Sequence, residues 1–184
     1  MNNSDANANA LRGEREILIQ APVEEVYEYL CDFTRHTEWN HQPPEITKVS
    51  EGPMDVGTVY RTEEQPPGTA PWIRRKVMAP LMMKLVGFQG YTEAEITALE
   101  PGRRLAWTAA APLKDGGYLM EMDWELLLEP QNGATRVRQR YRLKPQHNLM
   151  KIMRTQAAEG FRKEVDVSLT NLKEILEGRA AGDD

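Results

Sequence analysis

His36, Glu38 and His41 are the side chains best suited to acid–base or metal chemistry in this sequence. An imidazole titrates near neutrality and a neighbouring carboxylate can hold its tautomer, so the cluster invites both readings. The spacing argues against a metal. The two histidines stand five apart rather than the four that stack on one helical face, and His147 is the only further imidazole. No metal site is expected, and His36 reads as a mouth-lining or solvated residue. Nucleophilic chemistry is poorly supplied: Ser4, Ser50 and Ser168 are the only serines, and none stands in a Gly-x-Ser-x-Gly elbow. Cys31 follows an apolar helical face, has no cationic neighbour that the sequence can place, and reads as a buried small hydrophobe. No glycine-rich phosphate or dinucleotide motif occurs, so no cofactor is implied.

A second set of residues points to binding. Trp107, Met120, Met122, Trp124, Gln139 and Tyr141 fall on the inward faces of strands, and Met150, Met153 and Ala157 on the first half of a long helix. Trp39, from a short helix, and Met82, from a methionine-rich segment, complete the candidate ligand-binding set. Gln139 is an amide on an otherwise apolar face. It needs a partner, and a ligand carbonyl, a bound water or Tyr141 would each serve. A filled core has the same apolar pattern, because such residues at core spacing mostly pack on one another.

The elements that must position these residues can be read in order. Glu14 to Gln20 is a short strand, and Pro22 opens a helix with Val23, Val26, Tyr27 and Leu30 on one face, ended by Asp32. A second short helix starts with Thr34 as N-cap and stops at Pro43-Pro44. Strands over Ile46–Ser50 and Thr58–Glu63 follow, separated by Gly52-Pro53. In Tyr91–Leu99 and Arg104–Ala110, pairing Ile96 with Trp107 also pairs Ala98 with Leu105 and Ala94 with Ala109, which makes one face wholly apolar. In Tyr118–Glu129, Met120, Met122, Trp124, Leu126 and Leu128 share a face, as do Val137, Gln139, Tyr141 and Leu143 in the next strand. The Asn132-Gly133 turn between them sets Glu121, Asp123 and Glu125 against Arg136, Arg138, Arg140 and Arg142. That arginine stripe is an outward ion ladder rather than an RNA-binding strand. A long helix over Asn148–Glu177 carries Leu149, Met153, Ala157, Phe161, Val165, Leu169, Leu172 and Leu176 along one side, with Gly178 as its stop.

Residues 65–90 are the most individual part of the chain. From Gln65 to Thr92 they carry Arg74, Arg75, Lys76 and Lys84 and no acid, beside Trp72, Leu81, Met82, Met83, Leu85, Val86 and Phe88. Three readings stay open: a lid over a cavity, a peripheral membrane contact through Trp72–Phe88, and plain packing on the domain's own apolar surface.

Composition bounds these readings. The chain has 184 residues, 40% hydrophobic and 28% charged, as expected for one globular domain over residues 13–178 between tails at 1–12 and 179–184. A net charge of −5 argues against a protein that coats nucleic acid, so no nucleic-acid partner is expected. One cysteine forms no internal disulfide, the N-terminal stretch shows no secretory pattern, and Lys84 breaks the greasiest segment, so a cytoplasmic location is expected. Oligomeric state is left open.

The residues Ile19-Gln20-Ala21-Pro22-Val23-Glu24-Glu25-Val26, then Asp32-Phe33-Thr34-Arg35 and Glu38-Trp39, resemble the opening of the SRPBCC or START-like superfamily. Gly52-Pro53 and Val56-Gly57-Thr58 continue the likeness, and Leu99-Glu100-Pro101-Gly102-Arg103-Arg104-Leu105-Ala106-Trp107 resembles its polyketide cyclase/dehydrase and lipid transport branch. The resemblance implies an α+β helix-grip fold, in which a seven-stranded antiparallel sheet curves around a long C-terminal helix and two short helices follow the first strand. It also implies a hydrophobic cavity, which in this superfamily holds lipids, polyketides, sterols or hormones and in some members hosts cyclisation or dehydration. The expected partner is therefore a hydrophobic small molecule, such as a lipid, isoprenoid or polyketide, held between sheet and C-terminal helix. The alternatives are a polyketide cyclase, aromatase or dehydratase using Tyr141, Gln139 or His36 for proton transfer, and a ligand-gated protein-interaction module. The inward positions read from the sequence hold no carboxylate, lysine or histidine, which favours binding over catalysis.

Overall fold

A computed structural model describes residues 11–40, 45–63, 84–152 and 154–180 of the chain. Strand β1 (Leu11–Ile19) leads through Pro22 into helix α1 (Val23–Cys31), a 3-10 turn (Phe33–Arg35) and the short helix α2 (His36–Trp39). Then come β2 (Glu45–Lys48), β3 (Val59–Glu63), β4 (Tyr91–Glu100), β5 (Arg104–Pro112), β6 (Tyr118–Gln131) and β7 (Ala134–Pro145), followed by α3 (Asn148–Ile152) and α4 (Arg154–Ala180). The strands form one antiparallel sheet in the order β1-β7-β6-β5-β4-β3-β2, with a long C-terminal helix across it. This is the α+β helix-grip architecture.

The β6–β7 hairpin turns at Asn132 (φ 50°) and Gly133 (φ 85°), the left-handed pair that a tight hairpin requires. Its register sets Asp123 opposite Arg142, Glu125 opposite Arg140 and Glu129 opposite Arg136, so opposite charges face each other outside. Between β4 and β5 the expected register holds only in part. Ile96 pairs with Trp107 and Ala94 with Ala109, but an irregularity between Ile96 and Ala98 then sets Ala98 against Ala106 and Leu99 against Leu105. A bulge of this kind adds local twist and bends the strand, and the apolar match survives because Leu99 takes the place expected for Ala98.

Other boundaries shift for local reasons. β1 starts at Leu11, so Leu11 and Arg12, expected in the N-terminal tail, pair with Leu143 and Arg142. Thr34 does not cap the second helix: its hydroxyl donates to Asp32 Oδ1 at 2.6 Å, and the 3-10 turn continues into α2. Helix α4 runs past Gly178 to Ala180.

Val165, Leu169, Leu172 and Leu176 of α4 are buried in one apolar cluster with Ile19, Leu105, Leu126 and Val137 of the sheet. The helix also serves the edge strand β1. Lys173 Nζ donates to the Leu18 carbonyl (2.8 Å), Glu177 Oε1 accepts from the Gln20 amide (2.8 Å), and Arg15 Nε donates to Asp166 Oδ1 (2.7 Å). Exposed edge groups are thereby covered by side chains rather than left as a template for another strand. A second cluster, Ala111, Leu113, Leu119, Met120, Met122 and Leu143, is packed by Val86, Phe88 and Met150. Val86 and Phe88 of the 65–90 segment therefore pack on the domain, while Leu85 is exposed. The rest of that segment up to Met83, including Trp72 and Met82, lies outside the described residues. Among the described residues no helix is long and apolar enough to cross a membrane.

Gly13 stands opposite Tyr141 in the β1–β7 register, and the Tyr141 ring lies over it so closely that an added Cβ would overlap the ring. Gly13→Ala should therefore push the ring aside at a cost of about 1–3 kcal/mol, the usual price of overpacking. Urea denaturation checks the loss, and near-UV circular dichroism checks the displaced tyrosine.

Candidate functional site

The site is built on a spacing of three. In a 3-10 turn residues i and i+3 eclipse one another, so Phe33 and His36 share an edge, and the single turn of α2 carries Trp39 onto the same face. Two of these rings meet Trp107 of β5. Phe33 meets it edge-on with centroids 5.3 Å apart, and His36 does the same at 5.5 Å. His36 itself lies 4.3 Å from Phe33 and 4.9 Å from Trp39. Asn171 Nδ2 of α4 donates to the Trp39 carbonyl (3.1 Å), which ties the short helix to the long one.

On the sheet, Trp107, Trp124 and Tyr141 are register partners on β5, β6 and β7. Their rings form a row across the inner face, with Trp107 and Trp124 stacked at 6.1 Å and Trp124 and Tyr141 tilted at 5.7 Å. A half-open cavity of about 140 Å³ lies between this part of the sheet and the Phe33–Asn40 turn. Phe33, His36 and Trp39 wall one side; Thr62, Ala94, Ala109, Met122, Trp124 and Gln139 are among the sheet residues on the other.

The cavity wall is apolar but for a few groups, and their bonding state is informative. His36 is 2% exposed, and its Nε2 lies 2.9 Å from the Leu30 carbonyl. A carbonyl only accepts, so Nε2 carries the proton and Nδ1 the lone pair. Burial pushes the imidazole down to about 4, outweighing the bond to Leu30 and the more distant charge of Asp32, so the ring is neutral at physiological pH. Gln139 Oε1 and Trp39 Nε1 are buried and have no hydrogen-bond partner among the described residues. The Thr62 and Thr92 hydroxyls bond to each other.

Of the residues expected to bind a ligand, Trp39, Trp107, Met122, Trp124 and Gln139 come together around this cavity. Tyr141 stands beside Trp124 in the aromatic row, with burial pushing its phenol up, but it is not part of the wall. Met120 and Met150 belong to the second apolar cluster. Met82, Met153 and the side chain of Ala157 lie outside the described residues, as does His41. One expectation is corrected. His36 is neither solvated nor at a mouth, because the 3-10 turn rotates it inward, and the inward face therefore does hold a histidine. The described wall facing the sheet comes from Phe33–Asn40. The missed signal was the Phe33–His36–Trp39 spacing, which outranks the five-residue spacing of His36 and His41. Cys31 is half-buried rather than buried, and burial raises its thiol, which leaves it without thiolate character.

A larger, open depression of about 720 Å³ lies on the outer face, with Arg12, Glu14, Arg104, Asp123, Glu125, Arg140 and Arg142 among its lining residues. Most of these charges are already paired: Arg104 Nε with Glu125 (2.7 Å), Arg140 Nε with Glu14 (2.5 Å) and Lys144 Nζ with Asp123 (2.8 Å). An apolar molecule would gain little by displacing water from such a surface, so the smaller inner cavity is the better ligand site.

A family model described as polyketide cyclase / dehydrase and lipid transport matches residues 10–177. The chain belongs to this family. Membership in it places the chain in the SRPBCC, or START-like, superfamily. Solved structures with the same fold include the Zhui aromatase/cyclase from a Streptomyces species, at 14% identity and a TM-score of 0.61 over 94% of both chains. The di-domain aromatase/cyclase StfQ of the steffimycin biosynthetic pathway matches at 14% identity with a TM-score of 0.66, over 97% of this chain and 54% of that one. A protein from Chromobacterium violaceum matches at 18% identity with a TM-score of 0.57, over 92% of this chain and 98% of that one. No curated protein sequence matches. At these identities the structures show the fold alone, so the chemistry of this family member must be argued from its own cavity.

The buried imidazole makes stability depend on pH. Its folded value of about 4 lies below the unfolded 6.5, so between these values the unfolded chain binds a proton that the folded chain refuses, and acidification favours unfolding. The loss on going from pH 7.5 to 4 should be about 3 kcal/mol from this residue. Urea titrations of the wild type and of His36→Phe across that range check it, the variant losing less by that amount.

Proposed function

We propose that this protein binds a hydrophobic small molecule, such as a lipid, isoprenoid or polyketide, with one end seated in the cavity between the Phe33–Trp39 face and the sheet. The observation that carries the reading is the cavity itself: about 140 Å³, walled mainly by aromatic and apolar side chains, beside two buried polar atoms with no hydrogen-bond partner among the described residues. A packed core closes such voids and pairs such atoms, whereas a binding site keeps both for its ligand. The cavity is close in size to the ~150 Å³ apolar void that takes up one benzene ring. A longer ligand would place one ring-sized end here. Family membership supports the same reading, because the family's description joins lipid transport to polyketide chemistry.

A second reading, polyketide cyclase, aromatase or dehydratase, is favoured by one observation: His36 brings a neutral imidazole with a lone pair on Nδ1 into the wall. A neutral imidazole can accept a proton from a bound carbon acid or hydroxyl, though burial makes this one a weaker base than an ordinary histidine. In that case His36→Gln should keep ligand affinity and lose turnover, as measured by binding and product assays on the same preparation.

Native mass spectrometry of the protein, with extraction and identification of whatever co-purifies, tests the binding role. The wild type should carry a discrete small molecule. Ala109→Leu, which fills the cavity from β5, should lose it while melting as cooperatively as the wild type. A ligand-free mass at high protein concentration would overturn a carrier role.

A further inference from the structure

Three segments far apart in the chain meet at the end of the sheet where β5 passes to β6. The Lys84–Phe88 stretch turns on itself, the Gly87 amide donating to the Lys84 carbonyl (3.2 Å). It is strapped to the β5–β6 turn: the Lys114 amide donates to the Gly87 carbonyl (2.9 Å), the Gln89 amide to the Pro112 carbonyl (3.1 Å) and Gln89 Nε2 to the Leu113 carbonyl (3.0 Å). The lead into α3 joins them, since the Gln146 and His147 amides both donate to the Leu119 carbonyl (3.2 and 3.1 Å). Underneath, Val86, Phe88 and Met150 pack on Leu113, Leu119 and Met120 in the second apolar cluster. The surface above that cluster is therefore held in place from below.

Its outward side chains are of two kinds. Leu85 is 73% exposed, the most exposed large apolar side chain among the described residues, and Tyr118 at the end of the β5–β6 turn is 46% exposed. Lys84 and Lys114 are exposed at the same end, and Lys151 of α3 is half-buried. None of these three lysines makes an ion pair among the described residues, whereas Lys144 is held by Asp123 (2.8 Å) and stands opposite Glu121. The remaining acid is Asp115, whose carboxylate accepts from the Gly117 amide (3.0 Å). This end is positive on a chain of net charge −5, and the sequence from Gln65 to Thr92 holds no acid.

A protein partner fits such a surface poorly, because a specific interface buries roughly 800 Å² on each side and one leucine with a half-exposed tyrosine supplies little of it. An anionic bilayer asks for neither a fixed shape nor a large apolar area: a leucine side chain enters the headgroup layer, a tyrosine sits at its level, and each lysine near the surface adds Coulomb attraction. We infer that this end of the molecule docks reversibly on an anionic lipid surface, with Leu85 inserted among the headgroups and Lys84, Lys114 and Lys151 facing their phosphates. Met122 belongs both to the cluster beneath this surface and to the wall of the inner cavity, so docking would hold the cavity beside the bilayer. The docking does not depend on what the cavity holds, and its failure would leave the ligand reading standing.

The test is co-sedimentation of the full chain with vesicles of phosphatidylcholine alone and of phosphatidylcholine containing about one third phosphatidylglycerol. The protein should pellet with the anionic vesicles at low ionic strength and be released by salt, and should leave the neutral ones in the supernatant. Lys84→Gln and Lys114→Gln should each weaken binding about fivefold, and Leu85→Ser about tenfold, with melting temperatures unchanged because all three side chains are exposed. Spin-labelled lipid in the anionic vesicles should broaden the NMR signals of Leu85 and Tyr118 and spare Val167, which is exposed on α4. Absence of binding to anionic vesicles at low salt would overturn the inference. So would binding that survives both Leu85→Ser and the paired lysine changes, which would put the contact elsewhere, and equal binding to both kinds of vesicle, which would remove the role of charge. A concentration-dependent dimer in sedimentation velocity, lost in Leu85→Ser, would give the surface to a second copy of the chain instead.

Discussion

The inner face of the sheet is organised around Trp107 and the two rings, Phe33 and His36, that pack edge-on against it. This contact fixes how the 3-10 turn and α2 sit over β5, and therefore where the cavity lies. It also decides the state of His36: the ring that completes the aromatic cluster is removed from water, and the neutral form follows from that burial. Remove the packing and the imidazole becomes an ordinary surface histidine near neutrality. Packing here comes first, and the acid–base character of the site is its consequence.

The same packing leaves polar atoms stranded. A buried amide oxygen or indole N–H without a partner costs on the order of 1–3 kcal/mol, and Gln139 Oε1 and Trp39 Nε1 have none among the described residues. Apolar residues of similar volume would avoid that cost. Gln139 is the polar exception on a face otherwise made of Val137, Tyr141 and Leu143.

The two faces of the sheet divide the work. Outside, arginines and carboxylates pair across strands at half-exposed positions, where each pair contributes roughly 0.2–1 kcal/mol and mainly holds register and solubility. Inside, charge is absent from the described cavity wall, and the aromatic row from Trp107 through Trp124 to Tyr141 crosses three strands before meeting Gly13 on β1. Gly13 belongs to that row as much as the rings do, since its missing side chain is the space that the Tyr141 ring fills.

Much of this was legible in the sequence because it is periodic. Alternation of two assigned the faces of β5, β6 and β7, the Asn132-Gly133 turn brought the acidic and basic stripes together, and the stripe ending in Leu172 and Leu176 identified the long helix. Trp107, Met122, Trp124 and Gln139 reached the cavity on that basis alone. What periodicity cannot show is a change of period or a bulge. The slip after Ile96 moved Leu99 opposite Leu105, and the 3-10 turn placed Phe33 and His36 on a single edge that the α-helical spacing of the histidines had hidden. Nor does a sequence show which buried polar groups find partners: that His36 reaches the Leu30 carbonyl while Gln139 Oε1 and Trp39 Nε1 have no partner among the described residues depends on how the segments pack. Local pattern determined the strands, the faces and the fold. Only tertiary packing decided the charge state of His36 and which buried polar groups find partners, because both depend on what lies across the fold rather than along the chain.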